Sequence, residues 1–268
     1  MQIRCGHNAA KLKGSCDAGE TAVSVPIYFL PGMLCDRRQW EPVWACLQAI
    51  VPAGSCHAEW FDLHTTGEAS MASFAQEVAD RAVKAPGIVA GFSMGGHVAF
   101  ELYRQCPEVI RGLLLCNTSA ELDPPDRRED RERFLALPVD AGRFDGITTS
   151  EWPKYVAQVQ AENWDMLALV QSMAAGHGMA GAQAQARALI HRQGSFDTLA
   201  SMAFAGLPVR ICAGVEDQVT TLAQAERMAF AMGSPRSDIV QLHSGHMGPL
   251  EAPNAIATIL ATILSAMA

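Results

Sequence analysis

The sequence has no excess of basic residues, no long apolar run and no clustered cysteine motif. Its 268 residues include 20 Lys and Arg against 28 Asp and Glu, which gives a formal net charge of −8. Nucleic-acid binding is disfavoured, because phosphate recognition needs a clustered basic face and these arginines are interleaved with acids. No segment reaches the roughly 18 consecutive apolar residues that a membrane span requires. With 49% apolar and 18% charged residues, the composition is that of a globular chain with a large core.

The cysteines and the N-terminus give no sign of export or metal binding. None of the eight cysteines has CxxC spacing, so reduced structural thiols are favoured over disulfides or a metal site. Residues 1–24 are polar and show no periodicity, and we expect a loose tail there. No apolar h-region follows the N-terminal cations. We therefore expect no secretory signal and a cytoplasmic protein.

From Val25 onward, short apolar strands alternate with amphipathic helices. Strands are predicted at 25–30, 57–63, 87–91, 109–116, 208–214 and 238–242. The clearest helix starts near Pro253 and carries a single apolar stripe. Such alternation predicts an α/β fold in which a mostly parallel sheet is flanked by helices on both faces.

Strand signals are absent between residues 121 and 205. The run ELDPPDRREDRER (121–133) carries ten charges in thirteen residues, and a helical segment rich in Ala, Gln and Met follows. Because both signs are mixed, we interpret the charged run as a solvated helix or linker rather than a binding patch. The prediction is a helical cap over 121–205, inserted into a core formed by 25–120 and 206–268.

The sharpest local motif is GFSMGG, in which Gly91, Ser93 and Gly95 match the pattern GxSxG. It follows the apolar strand IVA and opens a helix, which is the setting of a nucleophile elbow. So sharp a turn leaves no room for side chains beside the serine, and glycines fit there. The alternative is a glycine-rich turn with an incidental serine. A serine hydroxyl becomes a nucleophile only with a neighbouring base and an acid that orients it.

Two loops after strands supply the base and the acid. His246 lies in HSGHMGPLEAP, which follows the last predicted strand, and Asp217 lies in AGVEDQVT with Glu216 beside it as the competitor. His243 and His246 also suggest a metal pair, but no further ligand cluster accompanies them. The order Ser93, Asp217, His246 is the one expected for a serine nucleophile on an open parallel sheet.

Acyl transfer also needs backbone N–H groups aimed at the oxyanion that develops on the attacked carbonyl. One should come from Met94, the residue after the serine. The other should come from Met33, in the turn LPGMLCD where Gly32 permits a tight backbone. A simple strand-ending turn is the alternative interpretation of that segment.

From about Val25 to the C-terminus, the chain resembles the α/β-hydrolase family. The matching segments are LPGMLCDRRQW, VAGFSMGGHVAFEL, AGVEDQVT and SGHMGPLEAP. The resemblance implies the α/β-hydrolase fold with an inserted helical cap, and it implies these roles: Ser93 as nucleophile, Asp217 as acid, His246 as base, Met33 and Met94 as oxyanion donors. Two departures are Pro31-Gly32, where many relatives have HG, and missing leading strands, which imply a reduced sheet.

The predicted function is hydrolysis of a small carboxylic ester, or a related acyl compound, through an acyl-enzyme on Ser93. Neither a metal nor an organic cofactor is required, and the expected partner is a small-molecule acyl substrate. A lactonase or a C–C bond hydrolase would use the same triad, and the fold also serves non-hydrolytic lyases and ligand-binding proteins.

Substrate choice belongs to the predicted cap, where the sequence is least informative. Four methionines there are more typical of core than of an acyl pocket: Met166, Met173, Met179 and Met202. Arg187 and Arg192 are more typical of solvated residues than of ligands for a substrate carboxylate.

Overall fold

A computed structural model of the chain describes residues 24–64, 69–139, 144, 146–234 and 238–267. The predicted tail at 1–24 lies outside the described residues apart from Ser24. The described part contains a six-stranded sheet of order β2-β1-β3-β4-β5-β6, in which every neighbouring pair is parallel. Its strands are β1 (Val25–Leu30), β2 (Cys56–Trp60), β3 (Gly87–Phe92), β4 (Ile110–Cys116), β5 (Val209–Gly214) and β6 (Ile239–Leu242). The α/β class and the parallel sheet are thus confirmed.

The burial of each strand follows from its place in the sheet. β3 lies between β1 and β4, and all six of its residues are buried, as expected for a continuous apolar run covered on both faces. β2 is an edge strand of mixed sequence, and none of its residues is fully buried. Its ladder ends at Trp60, before the predicted end at Leu63, although Leu63 itself is buried.

Helices cover both faces of the sheet. They are α1 (Glu41–Ile50), α2 (Met71–Ala82), α3 (Met94–Gln105), α4 (Pro125–Leu135), α5 (Trp164–Ile190), α6 (Phe196–Phe204), α7 (Leu222–Ala231), α8 (Gly248–Glu251) and α9 (Pro253–Ser265). The apolar stripes of α1 and α9 pack together on one face, and α2, α3 and α7 contribute to the apolar cluster on the other. Ser70 and Ser73 form a capping box at the start of α2. Within the described ranges, no helix combines the length and the apolar character needed to cross a membrane.

The chain between β4 and β5, here called the β4–β5 segment (117–208), contains α4, α5 and α6 and no strand among its described residues. Gly178 has φ 63° and ψ −178°, a conformation open to glycine, and it kinks α5. Met173 and Met202 are fully buried core residues, and Met166 packs partly buried against the core. The preference for core over pocket is therefore correct for these methionines.

Candidate active site

Ser93 lies in the turn between β3 and α3, with φ 49° and ψ −112°, which is a strained conformation for a non-glycine residue. Its backbone N–H donates to the carbonyl of Cys116 at 3.0 Å. A Cβ on Gly91 would lie 2.7 Å from the Gly95 carbonyl oxygen, and one on Gly95 would lie 2.2 Å from that of Leu30. Only glycine fits at both positions, so the turn is as tight as the sequence motif predicts.

The structure brings Ser93, His246 and Asp217 together. Ser93 Oγ lies 3.0 Å from His246 Nε2, and His246 Nδ1 lies 2.9 Å from Asp217 Oδ2. His246 and Asp217 are buried, with 4% and 5% of their surfaces exposed. Because an ionised carboxylate only accepts hydrogen bonds, the Nδ1 that faces it carries the proton, which leaves the Nε2 lone pair directed at the serine hydroxyl.

The buried carboxylate of Asp217 is surrounded by donors. Its Oδ1 accepts from the backbone N–H groups of Val219 at 2.8 Å and Thr220 at 2.9 Å. Its Oδ2 accepts from Asn117 Nδ2 at 2.9 Å and from Thr220 Oγ1 at 2.8 Å. Burial alone would raise the pKa of Asp217, but attraction to His246 and these hydrogen bonds outweigh it and lower the pKa below its ordinary value.

The loop that carries His246 is fixed to the β4–β5 segment. The backbone N–H of His246 donates to the carbonyl of Tyr155 at 2.8 Å. Glu251 Oε1 accepts from the N–H of Gly245 at 3.0 Å, and its Oε2 accepts from the N–H of Ala157 at 2.7 Å. Burial raises the pKa of Glu251 against the lowering effect of these bonds. The imidazole is therefore positioned by two parts of the chain at once.

The turn after β1 is held by two glutamine side chains. Gln39 Oε1 accepts from the N–H of Gly32 at 3.0 Å, and Gln185 Oε1 accepts from the N–H of Leu34 at 2.8 Å. Gln185, on α5, also donates through Nε2 to the carbonyl of Leu63 at 3.0 Å. Leu34 has φ 62°, so the turn is tight and its conformation is stabilised from outside.

Met33 and Met94 lie at the same cavity as Ser93. Within the described ranges, the backbone N–H of Met33 has no intramolecular acceptor, and Met94 is the first residue of α3, where a helix leaves its N–H unpaired. A Cβ on Gly32 would lie 2.6 Å from the ring of Phe92 and 3.5 Å from Ser93 Cβ, so this turn closely approaches the serine.

The cavity has a volume of about 550 Å³ and lies between the β4–β5 segment and the carboxyl ends of the strands. Ser93 and His246 line it together with aromatic and charged side chains from the segment. These are Phe134, Phe144 and Tyr155, and Arg127, Asp130, Arg131, Glu151 and Lys154. A concave, partly apolar site of this size suits a small organic ligand.

The comparisons with known proteins agree with this architecture. A profile of the Alpha/beta hydrolase family matches residues 27–259, which is most of the chain. The chain belongs to the alpha/beta hydrolase family. The predicted resemblance and fold are thus confirmed, and the membership supports a hydrolase function. No curated protein matches this hydrolase significantly in sequence.

Several solved structures share the fold of this hydrolase at low sequence identity. A thermophilic esterase from Thermogutta terrifontis, solved with malate bound, has a TM-score of 0.77 at 23% identity, over 92% of this chain and 91% of that one. The enol-lactonase from Burkholderia xenovorans LB400 has a TM-score of 0.73 at 18% identity, over 93% and 94%. An esterase from Exiguobacterium antarcticum has a TM-score of 0.70 at 17% identity, over 91% and 93%.

The competing residues of the sequence analysis lie outside the cluster. Glu216 accepts from the backbone N–H of Gln158 at 2.9 Å, and among the described residues no hydrogen bond joins its side chain to the His246 imidazole. His243 is exposed, and the described residues contain no group of three His, Cys, Asp or Glu side chains placed to hold a metal ion. His64 and His177 form a separate pair, with their Nδ1 atoms 3.3 Å apart. His7 lies outside the described residues.

The charges of the β4–β5 segment differ from the sequence interpretation. The side chain of Arg128 is 51% exposed, as expected for a solvated helix, but that of Arg131 is only 20% exposed and lines the cavity. Arg192 is not solvated either. Its side chain is 6% exposed and pairs with Asp123, whereas Arg187 is exposed. Mixed signs in the sequence conceal that Arg127, Asp130 and Arg131 of α4 line the cavity whereas Arg128 does not.

The residues that position Asp217 and His246 were not among those predicted from the sequence. Asn117 and Thr220 both donate to Asp217, and the carbonyl of Tyr155 holds the His246 loop. The contact between Asp217 and Thr220 could have been predicted from the sequence. An aspartate followed by loop residues frequently accepts hydrogen bonds from N–H groups two and three positions later. Asn117 directly follows β4, the neighbour of strand β3, but nothing local in the sequence points to its long-range partner.

Proposed function

We propose that this hydrolase cleaves small carboxylic esters through an acyl-enzyme on Ser93. The observation that carries the proposal is the continuous chain of contacts from Ser93 Oγ to His246 Nε2 at 3.0 Å and from His246 Nδ1 to Asp217 Oδ2 at 2.9 Å. A hydroxyl, an imidazole and a carboxylate in that order activate serine for attack on a carbonyl. The β4–β5 segment, which includes the helical cap predicted at 121–205, acts as the cap over this site.

In the acylation step, Ser93 Oγ forms a bond to the ester carbonyl carbon while His246 Nε2 takes the hydroxyl proton. The resulting imidazolium is stabilised by the ionised Asp217. When the tetrahedral intermediate collapses, the carbon–oxygen bond to the leaving alcohol breaks, and His246 returns the proton to the departing oxygen. The acyl group then remains on Ser93 as an ester.

Deacylation repeats the sequence with water as the nucleophile. His246 takes a proton from water, the hydroxyl oxygen bonds to the acyl carbon, and the bond to Ser93 Oγ breaks as His246 returns the proton to the serine. In both steps the carbonyl oxygen becomes negatively charged. We assign its stabilisation to the backbone N–H groups of Met33 and Met94, and donors of this kind contribute about 3 kcal/mol each in other serine hydrolases.

A lactone is the second candidate substrate, because it is a cyclic ester and opens by the same steps. The structural neighbours named above include both esterases and an enol-lactonase. In a lactone the leaving oxygen stays attached to the acyl group, so hydrolysis of the acyl-enzyme yields a single hydroxy acid and no separate alcohol. Product analysis on paired esters and lactones separates the two activities.

The decisive experiment compares Ser93→Ala with Ser201→Ala, since Ser201 is exposed on α6 and bonds only to its own helix. On short p-nitrophenyl esters we expect Ser93→Ala to lose activity by about a thousandfold or more, and Ser201→Ala to behave as wild type. A fluorophosphonate should label wild type, with fluoride as the leaving group, and should not label Ser93→Ala. Full turnover by Ser93→Ala would overturn the proposal, and an unlabelled wild type would favour a non-hydrolytic or ligand-binding protein.

A further inference from the structure

The catalytic cavity carries positive charge on the side formed by α4, although the chain as a whole has a net charge of −8. Arg127 and Arg131 lie one helical turn apart on α4, so their side chains project from the same face. Both line the cavity that contains Ser93. Their position within an acidic protein requires an explanation.

Arg131 shares its carboxylate partner with a second arginine. Arg131 Nε donates to Asp123 Oδ2 at 2.7 Å, and Arg192 donates to the same carboxylate at 3.0 and 3.1 Å. Two guanidinium groups therefore face one carboxylate, which leaves one positive charge unbalanced in a poorly solvated place. Burial lowers the pKa of Arg131 from its ordinary value, and the nearby Arg192 and Arg127 lower it further against the raising effect of Asp123.

One outer nitrogen atom of Arg131 faces an uncharged neighbour. Its Nη1 lies 3.5 Å from the sulfur of Met33, the residue whose N–H we assign to the oxyanion hole. A thioether is a weak acceptor and carries no charge, so it satisfies this donor poorly. The free end of the guanidinium therefore lies next to the proposed reaction centre.

Arg127 adds a second cation to the same wall. Its Nη2 donates to the backbone carbonyl of Val219 at 3.0 Å, and within the described residues no carboxylate forms an ion pair with it. Both arginines also influence Tyr155, whose carbonyl holds the His246 loop. The pKa of the Tyr155 phenol is raised above its ordinary value by burial and by Glu151, against the lowering effect of Arg127 and Arg131.

The acids at the same cavity have other partners. Asp130 is exposed and pairs with Arg133. Glu151 is exposed and accepts from the N–H and the hydroxyl of Thr148 at 3.1 and 2.6 Å. Lys154 also lines the cavity and adds a third positive side chain. Among the described residues, neither Asp130 nor Glu151 forms an ion pair with Arg127 or Arg131.

We propose that Arg127 and Arg131 form an anion subsite of the catalytic cavity, and that the substrate is an ester or lactone carrying a separate carboxylate. This inference rests on the proposed function. A guanidinium binds a carboxylate through parallel N–H donors, and the partial burial of Arg131 strengthens that contact. The subsite would hold the carboxylate at the cap while the reacting carbonyl lies at Ser93.

The test compares monoethyl glutarate with ethyl pentanoate, which match in chain length and differ in the terminal carboxylate. We expect wild type to have a higher kcat/KM on the charged ester. Arg127→Gln and Arg131→Gln should each lower the ratio of charged to neutral kcat/KM by about tenfold or more, mainly through KM, since one charge-assisted contact is lost. Arg128→Gln is the control, because Arg128 is exposed, pairs with Glu132 and lies outside the cavity.

Arg131→Gln removes an ion pair with Asp123 and can destabilise the fold. Arg127→Gln tests the subsite without this effect, because it leaves the ion pairs of Asp123 with Arg131 and Arg192 intact. Arg131→Lys adds a second guard, since it keeps the charge but removes the planar fork, and it should restore only part of the ratio. An unchanged ratio in both glutamine variants, or a wild type that prefers ethyl pentanoate, would overturn the subsite.

Two further measurements separate the failure of the subsite from the failure of the proposed function. Glutarate should inhibit hydrolysis of the neutral ester competitively, and inhibition by inorganic phosphate alone would reject a carboxylate ligand. If wild type hydrolyses neither ester, calorimetric binding of glutarate to wild type but not to Arg127→Gln would retain the subsite and reject the hydrolase. Hydrolysis of ethyl pentanoate with no effect of glutarate would retain the hydrolase and reject the subsite.

Discussion

Asn117 Nδ2 lies 2.9 Å from Asp217 Oδ2, and the same amide nitrogen lies 3.1 Å from the carbonyl oxygen of Gly245. One side chain directly after β4 thus connects the loop of Asp217 to the loop of His246. Asn117 has φ 45°, a conformation that asparagine tolerates better than most residues. The backbone strain and the two hydrogen bonds occur at the same position.

We expect Asn117→Gly to lower kcat on a neutral ester by about tenfold, because a hydrogen bond to a buried charged group contributes about 1.5 kcal/mol or more. Glycine removes the amide without adding strain at positive φ. With one donor fewer, the carboxylate of Asp217 attracts the proton of the imidazolium more strongly. The acidic limb of the kcat/KM profile should therefore move to higher pH.

Asn117→Ala distinguishes positioning from simple destabilisation. It removes the same amide and adds the strain of a left-handed conformation, about 1 kcal/mol. Urea unfolding should show it to be less stable than Asn117→Gly, whereas the two pH profiles should coincide. A lower kcat with an unmoved acidic limb in both variants would argue against a role for Asn117 in the protonation of the dyad.

Gly95→Ala should destabilise the protein by about 2 kcal/mol or more, because its Cβ would lie 2.2 Å from the carbonyl oxygen of Leu30 and backbone must move to admit it. Gly176→Ala is the matched control. A Cβ there has no neighbour within 4 Å, and alanine inside α5 should add up to about 1 kcal/mol of stability. Equilibrium denaturation measures both, and equal stability of the two variants would mean that the elbow is not close-packed.

His177 joins α5 to the turn after β1 and should make stability depend on pH. Its Nε2 lies 3.0 Å from the carbonyl oxygen of Cys35, so Nε2 carries the proton, and its Nδ1 faces His64 Nδ1 at 3.3 Å. Burial lowers the pKa of His177 below its ordinary 6.5, the Cys35 contact raises it, and His64 lowers it. Asp36 and Asp62 raise it. A folded-state pKa below the unfolded value means that the unfolded chain binds more protons, so stability is lost as pH falls below about 6.5.

Denaturation midpoints measured from pH 7.5 to 5 should therefore fall less steeply in His177→Asn than in wild type. His191→Asn is the control, since His191 is exposed at the end of α5, and its slope should match that of wild type. Steeper loss of stability in His177→Asn at low pH would contradict the assignment of a buried neutral imidazole.

Much of the fold follows from local sequence. The strands β1 and β3 are continuous apolar runs, and the predicted bounds agree with the observed ones to within a residue. The convergence of Ser93, Asp217 and His246 could also be anticipated, because loops that follow parallel strands meet at one edge of the sheet. Helix α9 was evident for a similar reason, since its apolar stripe must face the core.

The contacts that the sequence did not reveal join distant parts of the chain. Gln185 and Leu34 are separated by about 150 residues, and nothing near either indicates the other. In α4 the sequence does not show which side chains face the cavity. A helix without fully buried residues has no apolar stripe from which to assign its inner face. Arg131 was therefore grouped with its solvated neighbours.

Gln185 has a consequence for any attempt to shorten this enzyme. Its side-chain Oε1 joins α5 to the turn that contains Met33, and its Nε2 joins α5 to Leu63, three residues after β2. Excising the segment between β4 and β5 would thus release the very turn that we assign to charge stabilisation, besides uncovering the pocket. The β4–β5 segment therefore both covers the cavity and supports the turn beneath it. A minimal catalyst built on the sheet alone would need another group to hold that turn in place.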